Sequence, residues 1–559
     1  MMFVPPMSMH NVRALMLTCV AQGSSPRPSF VVNGGLTGEP ETTIAPRVPA
    51  DVFANHSPFD GSTLSPVTAT SPEDVKTLVE TARTSALPWA NLSIQRRVDA
   101  LAGLERRLLE RAEEIASLVR LEVGKPLEEA VLAEVLPNAD LVRYWCDTIE
   151  ELLEPARIEP DPLSYPGKSG LVSREPRGVV ALITPWNYPV AIPLRTLVPA
   201  LLAGNAVVWK PSEVTPRSGA LTAKLFDGLL PEGVLTIVQG GAEVGRALVM
   251  SNVDSVVFTG SVPTGRAIAV ACAERFLPCS LELGGKDAAI VLSDCNLERT
   301  AQGLVWGAFT NAGQNCAGIE RVYVVADIAE KLIARVVAIT ESLSSADVGG
   351  MATRQQRDKT QAHLTAALLS GATLLTGGAE ANDTLAFPPT VIRIEGASAD
   401  SVAMTEETFG PLLPIQVVAD EDEAIRLTNA SRYALTTSLW TKRVRHAQGL
   451  AKRLRTGIVT INNHAFTAAL AQAPWTGTGD TGTGVTNGPH CLASLTRPRL
   501  ILTDKHQAAR ELWWYPYTPT LRTLAFAMAV VRGGGSIGAR IAALGRLVPA
   551  LLKRLFFGG

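Results

Sequence analysis

Residues 256–271 read VVFTGSVPTGRAIAVA. Four apolar or β-branched residues lead into Gly260. A polar turn follows, then Gly265 and an alanine-rich run with helical spacing. This is strand, tight turn, helix. Glycines let a backbone approach a ligand closely, and a helix N-terminus favours anions. The spacing is G-x-x-x-x-G, not the G-x-G-x-x-G of the usual dinucleotide fold. By itself the stretch reads equally as a plain tight turn.

Working outward, the same texture repeats. Short β-rich runs alternate with helical stretches: GVVALIT (178–184), AVVWK (206–210), SVVFTG (255–260), AAIVL (288–292), RVYVV (321–325), PIQVV (414–418), TTSLW (436–440) and GIVTIN (457–462). Strands alternating with helices argue for parallel sheets covered on both faces, hence an α/β protein. Ligands of such sheets bind beyond the carboxyl ends of the strands. Upstream, 71–154 reads as helical. Ser71 is placed as an N-cap, Pro72 at the first helical position and Asp74 in the first turn, with Val75, Leu78, Val79 and Ala82 at helical spacing.

The chain has 559 residues, 46% hydrophobic and 19% charged, with 51 basic and 53 acidic side chains and a net charge of -2. That length suggests about three domains, and the balance offers no nucleic-acid-binding surface. The seven cysteines form no C-x-x-C pair or zinc-spaced cluster, so no metal site is expected, and free thiols in a reducing, cytoplasmic setting are. Residues 1–44 read as a disordered leader, with a short signal peptide over Ala14–Ala21 as the alternative. From Leu512 on there is no Asp or Glu, while Arg522, Arg532, Arg540, Arg546, Lys553 and Arg554 punctuate apolar residues. Such a tail can lie on an anionic membrane surface or fold back on the protein.

Polar residues cluster where the strands end. TPWNYPV (184–190) puts Asn187 past a strand, where its amide can donate to an oxyanion or cap a helix. GNAVVWKPSE (204–213) offers Lys210 and Glu213, able to hold a ribose diol or to form a surface ion pair. LELGGKDAAIVL (281–292) sets Glu282 between leucines, where a carboxylate gains a raised pKa and suits a general base, or is a buried structural acid. FTNAGQNCAGIERVYVV (309–325) surrounds Cys316 with small residues, more suited to a reactive thiol than to a packed core. EETFGPLLP (406–414) supplies Glu407 and Phe409.

Taken in order, PWN, KPSE, FTGS, LELGGK, GQNC and ETFGP closely resemble the aldehyde dehydrogenase superfamily over about residues 45–505. The resemblance implies that Cys316 is the nucleophile, Glu282 the general base and Asn187 the oxyanion donor. It implies dinucleotide contacts at Trp186, Lys210, Glu213, Gly260, Ser261, Glu407 and Phe409, with NAD favoured by Glu213 and NADP as the alternative. Arg195 matches an arginine that grips the substrate carboxylate in succinic semialdehyde dehydrogenases. The implied parts are an NAD-binding domain (45–154 and 177–281), a catalytic domain (282–478), an oligomerisation arm (155–176 and 479–505) serving a homodimer or homotetramer, and a basic amphipathic extension (506–559). The fold class is thus two parallel-sheet Rossmann-like domains plus a strand arm.

The sequence also departs from the pattern. Cys316 is followed directly by Ala-Gly-Ile-Glu-Arg, and the late glycine-rich segment is PWTGTGDTGTGVTNG (474–488). The substrate is therefore open between a semialdehyde and a hydrophobic aldehyde taken at a membrane surface. A coenzyme A-acylating enzyme is disfavoured by Glu282, which would hydrolyse the thioester. An inactive membrane-associated scaffold is disfavoured by the intact Cys316, Asn187 and Glu282.

Overall fold

Five parallel strands form the first sheet, in the spatial order Leu235–Ile237, Ala206–Lys210, Val179–Ile183, Ser255–Thr259, Cys279–Glu282. Numbered along the chain from Val179, that order is 3-2-1-4-5, a doubly wound sheet whose direction of winding switches between Val179–Ile183 and Ser255–Thr259. The crevice beyond their carboxyl ends is the expected ligand site. The computed structural model describes residues 52–53, 55–161, 164–165, 167–378, 385–464, 466–505, 511 and 513–556. The leader expected at 1–44 lies outside them.

Every residue of Val179–Ile183 and Ala206–Lys210 is buried, because helices cover both faces. Val179, Ala181, Ile183, Ala206 and Val208 pack with Val75, Val79 and Leu248 on one side. Val180, Leu182, Val207 and Trp209 pack with Leu194, Leu197 and Trp145 on the other. Alternate side chains of one apolar run thus serve two different cores, as the period of two requires. Ser71 caps the helix Pro72–Ala90, its side chain accepting from the Asp74 N–H at 3.1 Å.

The second sheet has seven strands, in the order Thr373–Thr376, Thr390–Ile394, Leu412–Val418, Ile319–Val325, Asp287–Val291, Thr436–Trp440, Ile458–Ile461. All neighbours are parallel except the antiparallel edge strand Thr373–Thr376. All eight strands anticipated from the sequence are present. Leu235–Ile237, Cys279–Glu282, Thr373–Thr376 and Thr390–Ile394 were not anticipated. The first three are only three or four residues long. Too short a run has no periodicity to read.

A separate three-stranded antiparallel sheet joins Ala156–Ile158, Lys168–Pro176 and Thr496–Asp504. Leu171, Leu500, Ile501, Leu502 and Ile158 are exposed on it. Beyond it, helices Pro519–Val531 and Ile537–Phe556 pack on each other through Leu524, Ala527, Ala543 and Ala550. They are tied back by Lys168, whose ammonium bonds Asp504 at 2.7 Å and Glu511 at 2.6 Å, and by an Arg532–Asp161 pair. Ile537, Ile541, Leu544 and Val548 form one exposed apolar stripe. Among the described residues no helix is long and apolar enough to cross a membrane.

Within the second core, Gly303 on helix Leu297–Phe309 lies against the Trp440 ring, so that a Cβ there would collide with the indole. Gly303→Ala should lower stability by about 1–3 kcal/mol through overpacking. Gly449→Ala, on an exposed helix face with nothing near the new methyl, should not lower it. Urea midpoints of the two variants check this, and equal midpoints would contradict the packing described.

Candidate active site

Cys316 sits in the connection between the turn Thr310–Gly313 and the strand Ile319–Val325. That turn is bent sharply: Asn311, Ala312 and Gly313 all take left-handed φ values, of 54, 53 and 70°. For Asn311 the conformation is held from the side chain. Its Nδ2 donates to the Gln314 carbonyl at 3.0 Å and to the Asn187 carbonyl at 2.9 Å. Gly313 is required sterically, since a Cβ would strike the Gly410 backbone.

Asn187 follows the strand Val179–Ile183 and is buried. Its Nδ2 donates to the Gln314 carbonyl at 3.1 Å, which spends one of its two amide hydrogens. The other has no partner among the described residues. Its own carbonyl also accepts from Lys125 Nζ at 3.1 Å. Lys125 and Glu134 form a fully buried pair at 2.6 Å, and the second Glu134 oxygen accepts from the Val190 and Ala191 N–H groups. Those two residues begin the helix Ala191–Leu202, which carries Arg195. Lys125 and Glu134 carried no signal in the sequence: Glu134 lies within a π-helical turn, Val131–Val135, which breaks the helical spacing.

Cys316, Glu282 and Arg195 line one cavity of about 640 Å³. The rest of its wall is largely apolar, including Leu132, Ile192, Val305, Trp306 and Phe309. Glu282 ends the fifth strand of the first sheet and is 3% exposed, yet neither carboxylate oxygen has a hydrogen-bond partner among the described residues. Burial raises its pKa well above the usual carboxylate range. A Cβ at Gly484 would come within 2.9 Å of Glu282 Oε1. Arg195 makes no hydrogen bond or salt bridge among the described residues, and its guanidinium stands 6.0 Å from the Trp475 ring centre.

The thiol is not resting as a thiolate. Burial first, then the charges of Asp287, Glu407 and Glu282, push Cys316 up to about 12, and Arg195 opposes them. The sequence pointed to a reactive thiol, and reactivity needs the thiolate. In the protein alone the surroundings do the reverse, because the sulfur is desolvated and the carboxylates of Asp287, Glu407 and Glu282, from separate parts of the chain, add to that.

Lys210 ends a strand of the first sheet, and Trp186, Gly260 and Ser261 closely follow two others at their carboxyl ends. Trp186 and Phe409 meet edge to face at 5.6 Å, although one follows the first sheet and the other belongs to the second. Glu407 accepts from the Gly285 N–H at 3.0 Å, and burial with the nearby Glu320 charge raises it to about 7. A Cβ at Gly284 would strike that carboxylate. Ser261 caps helix Val262–Glu274, and Gly260 N–H donates to the Glu282 carbonyl. Lys210 Nζ donates to the Pro211 carbonyl and pairs with Glu213 at 3.2 Å, so these two touch each other while Glu213 stays half exposed. A dinucleotide fits these groups: a helix N-terminus for its pyrophosphate, hydrogen-bonding side chains for its riboses and an aromatic pair beside Glu407.

A model of the aldehyde dehydrogenase family matches residues 47–501. The chain belongs to the aldehyde dehydrogenase family. It is therefore an oxidoreductase, and its α/β architecture of parallel sheets is that of the family. It is 35% identical over 468 residues to a 4,4'-diapolycopene aldehyde oxidase of Methylomonas sp, covering 83% of this chain and 88% of that one. It is 32% identical over 465 residues to a 2-hydroxymuconic semialdehyde dehydrogenase of Pseudomonas sp. (strain CF600), covering 79% and 94%. Among solved structures, an NADP-dependent glyceraldehyde-3-phosphate dehydrogenase from Bacillus halodurans, complexed with NADP, superposes with TM-score 0.76 at 34% identity, covering 81% of this chain and 96% of that one.

Because the Cys316 pKa is raised, alkylation by iodoacetamide without dinucleotide should be slow at pH 8. The thiolate population is roughly three orders of magnitude below that of a free cysteine. The rate should keep climbing tenfold per pH unit through pH 10 instead of levelling near 8.5. Mass mapping of the 316 peptide against pH measures this, and a plateau below pH 9 would contradict the burial argument.

Proposed function

We propose that this aldehyde dehydrogenase oxidises an apolar aldehyde to its carboxylic acid with NAD, through a covalent adduct on Cys316. One observation carries the reading: Cys316 and the unpartnered carboxylate of Glu282 face the same largely apolar cavity.

The chemistry runs from those groups. Cys316 gives up its proton to water and its sulfur attacks the aldehyde carbon, forming a C–S bond as the carbonyl π bond opens to a tetrahedral oxyanion. The free amide hydrogen of Asn187 and the Cys316 backbone N–H donate to that oxygen. Removing one such donor costs about 100–1,000-fold. Held by Ser261, Glu407 and Phe409, NAD would supply the acceptor for the hydrogen and electron pair leaving that carbon, and the acyl group would stay on Cys316 as a thioester. Glu282 accepts a proton from water, whose oxygen adds to the acyl carbon. The C–S bond breaks, the acid departs and the sulfur is free again. A carboxylate with a raised pKa is the stronger proton acceptor for this step.

Trp186, Gly260, Ser261, Glu407 and Phe409 line the dinucleotide side, with Lys210 and Glu213 at the adenosine ribose. Glu213 would face the 2′-phosphate of NADP, which supports NAD; the NADP-bound structural neighbour makes NADP the alternative. A second reading of the substrate rests on Arg195. An unpaired guanidinium in an apolar cavity supports a semialdehyde, whose carboxylate it would grip. The Methylomonas and Pseudomonas relatives stand on either side of this choice.

The proposed division of labour is a dinucleotide domain (45–154 and 177–281), a catalytic domain (282–478) and an arm (155–176 and 479–505). The exposed Leu500, Ile501 and Leu502 on the arm support pairing with a second copy, in a homodimer or homotetramer. The extension 506–559 is proposed to rest on an anionic membrane surface from the cytoplasmic side. The lack of any acidic residue from Leu512 on and the stripe Ile537, Ile541, Leu544 and Val548 support that placement.

With decanal and NAD, the parent chain should turn over. Cys316→Ser should form no NADH. Glu282→Gln should release about one NADH per chain in a burst, then fall ~100-fold or more in steady rate. Absence of a burst in Glu282→Gln, with the parent active, would contradict the thioester route. Succinic semialdehyde preferred over decanal by kcat/KM would move the substrate to the second reading. For the tail, the full chain should sediment with phosphatidylglycerol vesicles at low salt, and deletion of 512–559 should return it to the supernatant. A full chain that stays in the supernatant would end the membrane placement.

A further inference from the structure

The segment after the nucleophile, Ala317-Gly318-Ile319-Glu320-Arg321, is one of the stretches where the sequence departs from the family pattern, and nothing in the reaction above uses its charged residues. Glu320 is 4% exposed. Its Oε2 accepts from Lys286 Nζ at 2.6 Å and from the Thr408 N–H at 2.7 Å, and its Oε1 accepts from the Phe409 N–H at 2.8 Å. Lys286 Nζ also donates to Thr408 Oγ1 at 3.1 Å, and the Lys286 carbonyl accepts from Arg321 Nε at 2.9 Å. On the other side of the turn, Gln356 Nε2 donates to the carbonyls of Thr408 and Phe409.

This turn is strained. Phe409 has a φ of 58°, in the left-handed region that disfavours a residue with a side chain. Without an opposing force it would relax. The Glu320 carboxylate takes both amides in the conformation that strain would otherwise undo. Two placements depend on it: the Phe409 ring against Trp186, and Glu407 against the Gly285 N–H. A neutral acceptor would bind the two N–H groups less strongly than a carboxylate does. Lys286, itself buried, supplies the counter-charge that lets a carboxylate sit there.

We propose that Glu320 is a positioning residue: through Thr408 and Phe409 it holds the strained turn that presents Glu407 and Phe409 to the nicotinamide ribose. The assignment of that ribose to Glu407 and Phe409 rests on the reading given under Proposed function. Glu320 touches neither substrate nor dinucleotide. It sets their geometry from behind the turn, and the strand Ile319–Val325 transmits the position of the nucleophile loop to the cofactor loop within four residues of Cys316.

The test is Glu320→Gln in the full chain, with three readouts. NADH affinity, followed by its fluorescence, should weaken about tenfold or more. The KM for NAD should rise with it while the KM for decanal stays within about twofold. Deuterium uptake should rise in peptides covering 406–411 and not across the rest of the second sheet. Unchanged uptake at 406–411, or a rise spread over the whole sheet, would overturn the clamp. Should Glu320→Gln fail to fold, the parent chain still decides: amides 408 and 409 should be protected without dinucleotide, and protection that arises only on adding NAD would overturn it. Glu407→Gln separates the two ideas. Weakened NADH binding there supports the cofactor reading, whereas unchanged binding beside a loosened turn in Glu320→Gln would overturn that reading and leave the clamp standing.

Discussion

The carbonyl oxygen of Asn187 is the point on which the site is hung. Lys125 reaches it from the helical layer and Asn311 reaches it from the nucleophile loop. The Asn187 side chain returns a bond to Gln314, two residues before the cysteine. One peptide unit therefore joins the first sheet, the helices upstream of it and the loop entering the second sheet. The Lys125–Glu134 pair behind it is fully buried, and losing one member of such a pair costs about 3–5 kcal/mol because the other charge is stranded. That cost favours one arrangement of the Asn187 segment over its alternatives.

The same dryness that strengthens these bonds works against the nucleophile. Cys316, Glu282, Glu407 and Asp287 all have raised pKa values, with burial as the first cause in each. The site stores protons on groups that must release them. Arg195 is a cation that lowers the Cys316 value. A positively charged nicotinamide ring entering such a cavity would ease ionisation of the thiol and of the nearby carboxyl groups alike. The electrostatics thus suit a dinucleotide that arrives before the aldehyde reacts.

Two buried carboxylates that look alike in sequence have opposite surroundings. Glu320 has both oxygens satisfied by an ammonium and two backbone amides. Glu282 has neither satisfied. A satisfied carboxylate braces a backbone, whereas an orphaned one is available to a proton. Burial alone would have classed them together; hydrogen-bond supply separates them.

The strands were legible where they were long and apolar on both faces, as at Val179–Ile183 and Ala206–Lys210, because a run that serves two cores needs no polar alternation. The motif residues were legible because small and polar types stand at strand ends. Lys125, Glu134, Lys286 and Glu320 were not read as partners: their pairings cross from one element to another, and no local period marks them. By itself the sequence determined the parallel α/β architecture, the family and the set of reactive residue types, since these follow from periodicity and from chemistry carried on short stretches. Only the tertiary structure decided which carboxylate is left unpaired, how far the thiol is from ionising and which charges brace the turn, because desolvation and hydrogen-bond supply depend on what the rest of the chain packs against each group.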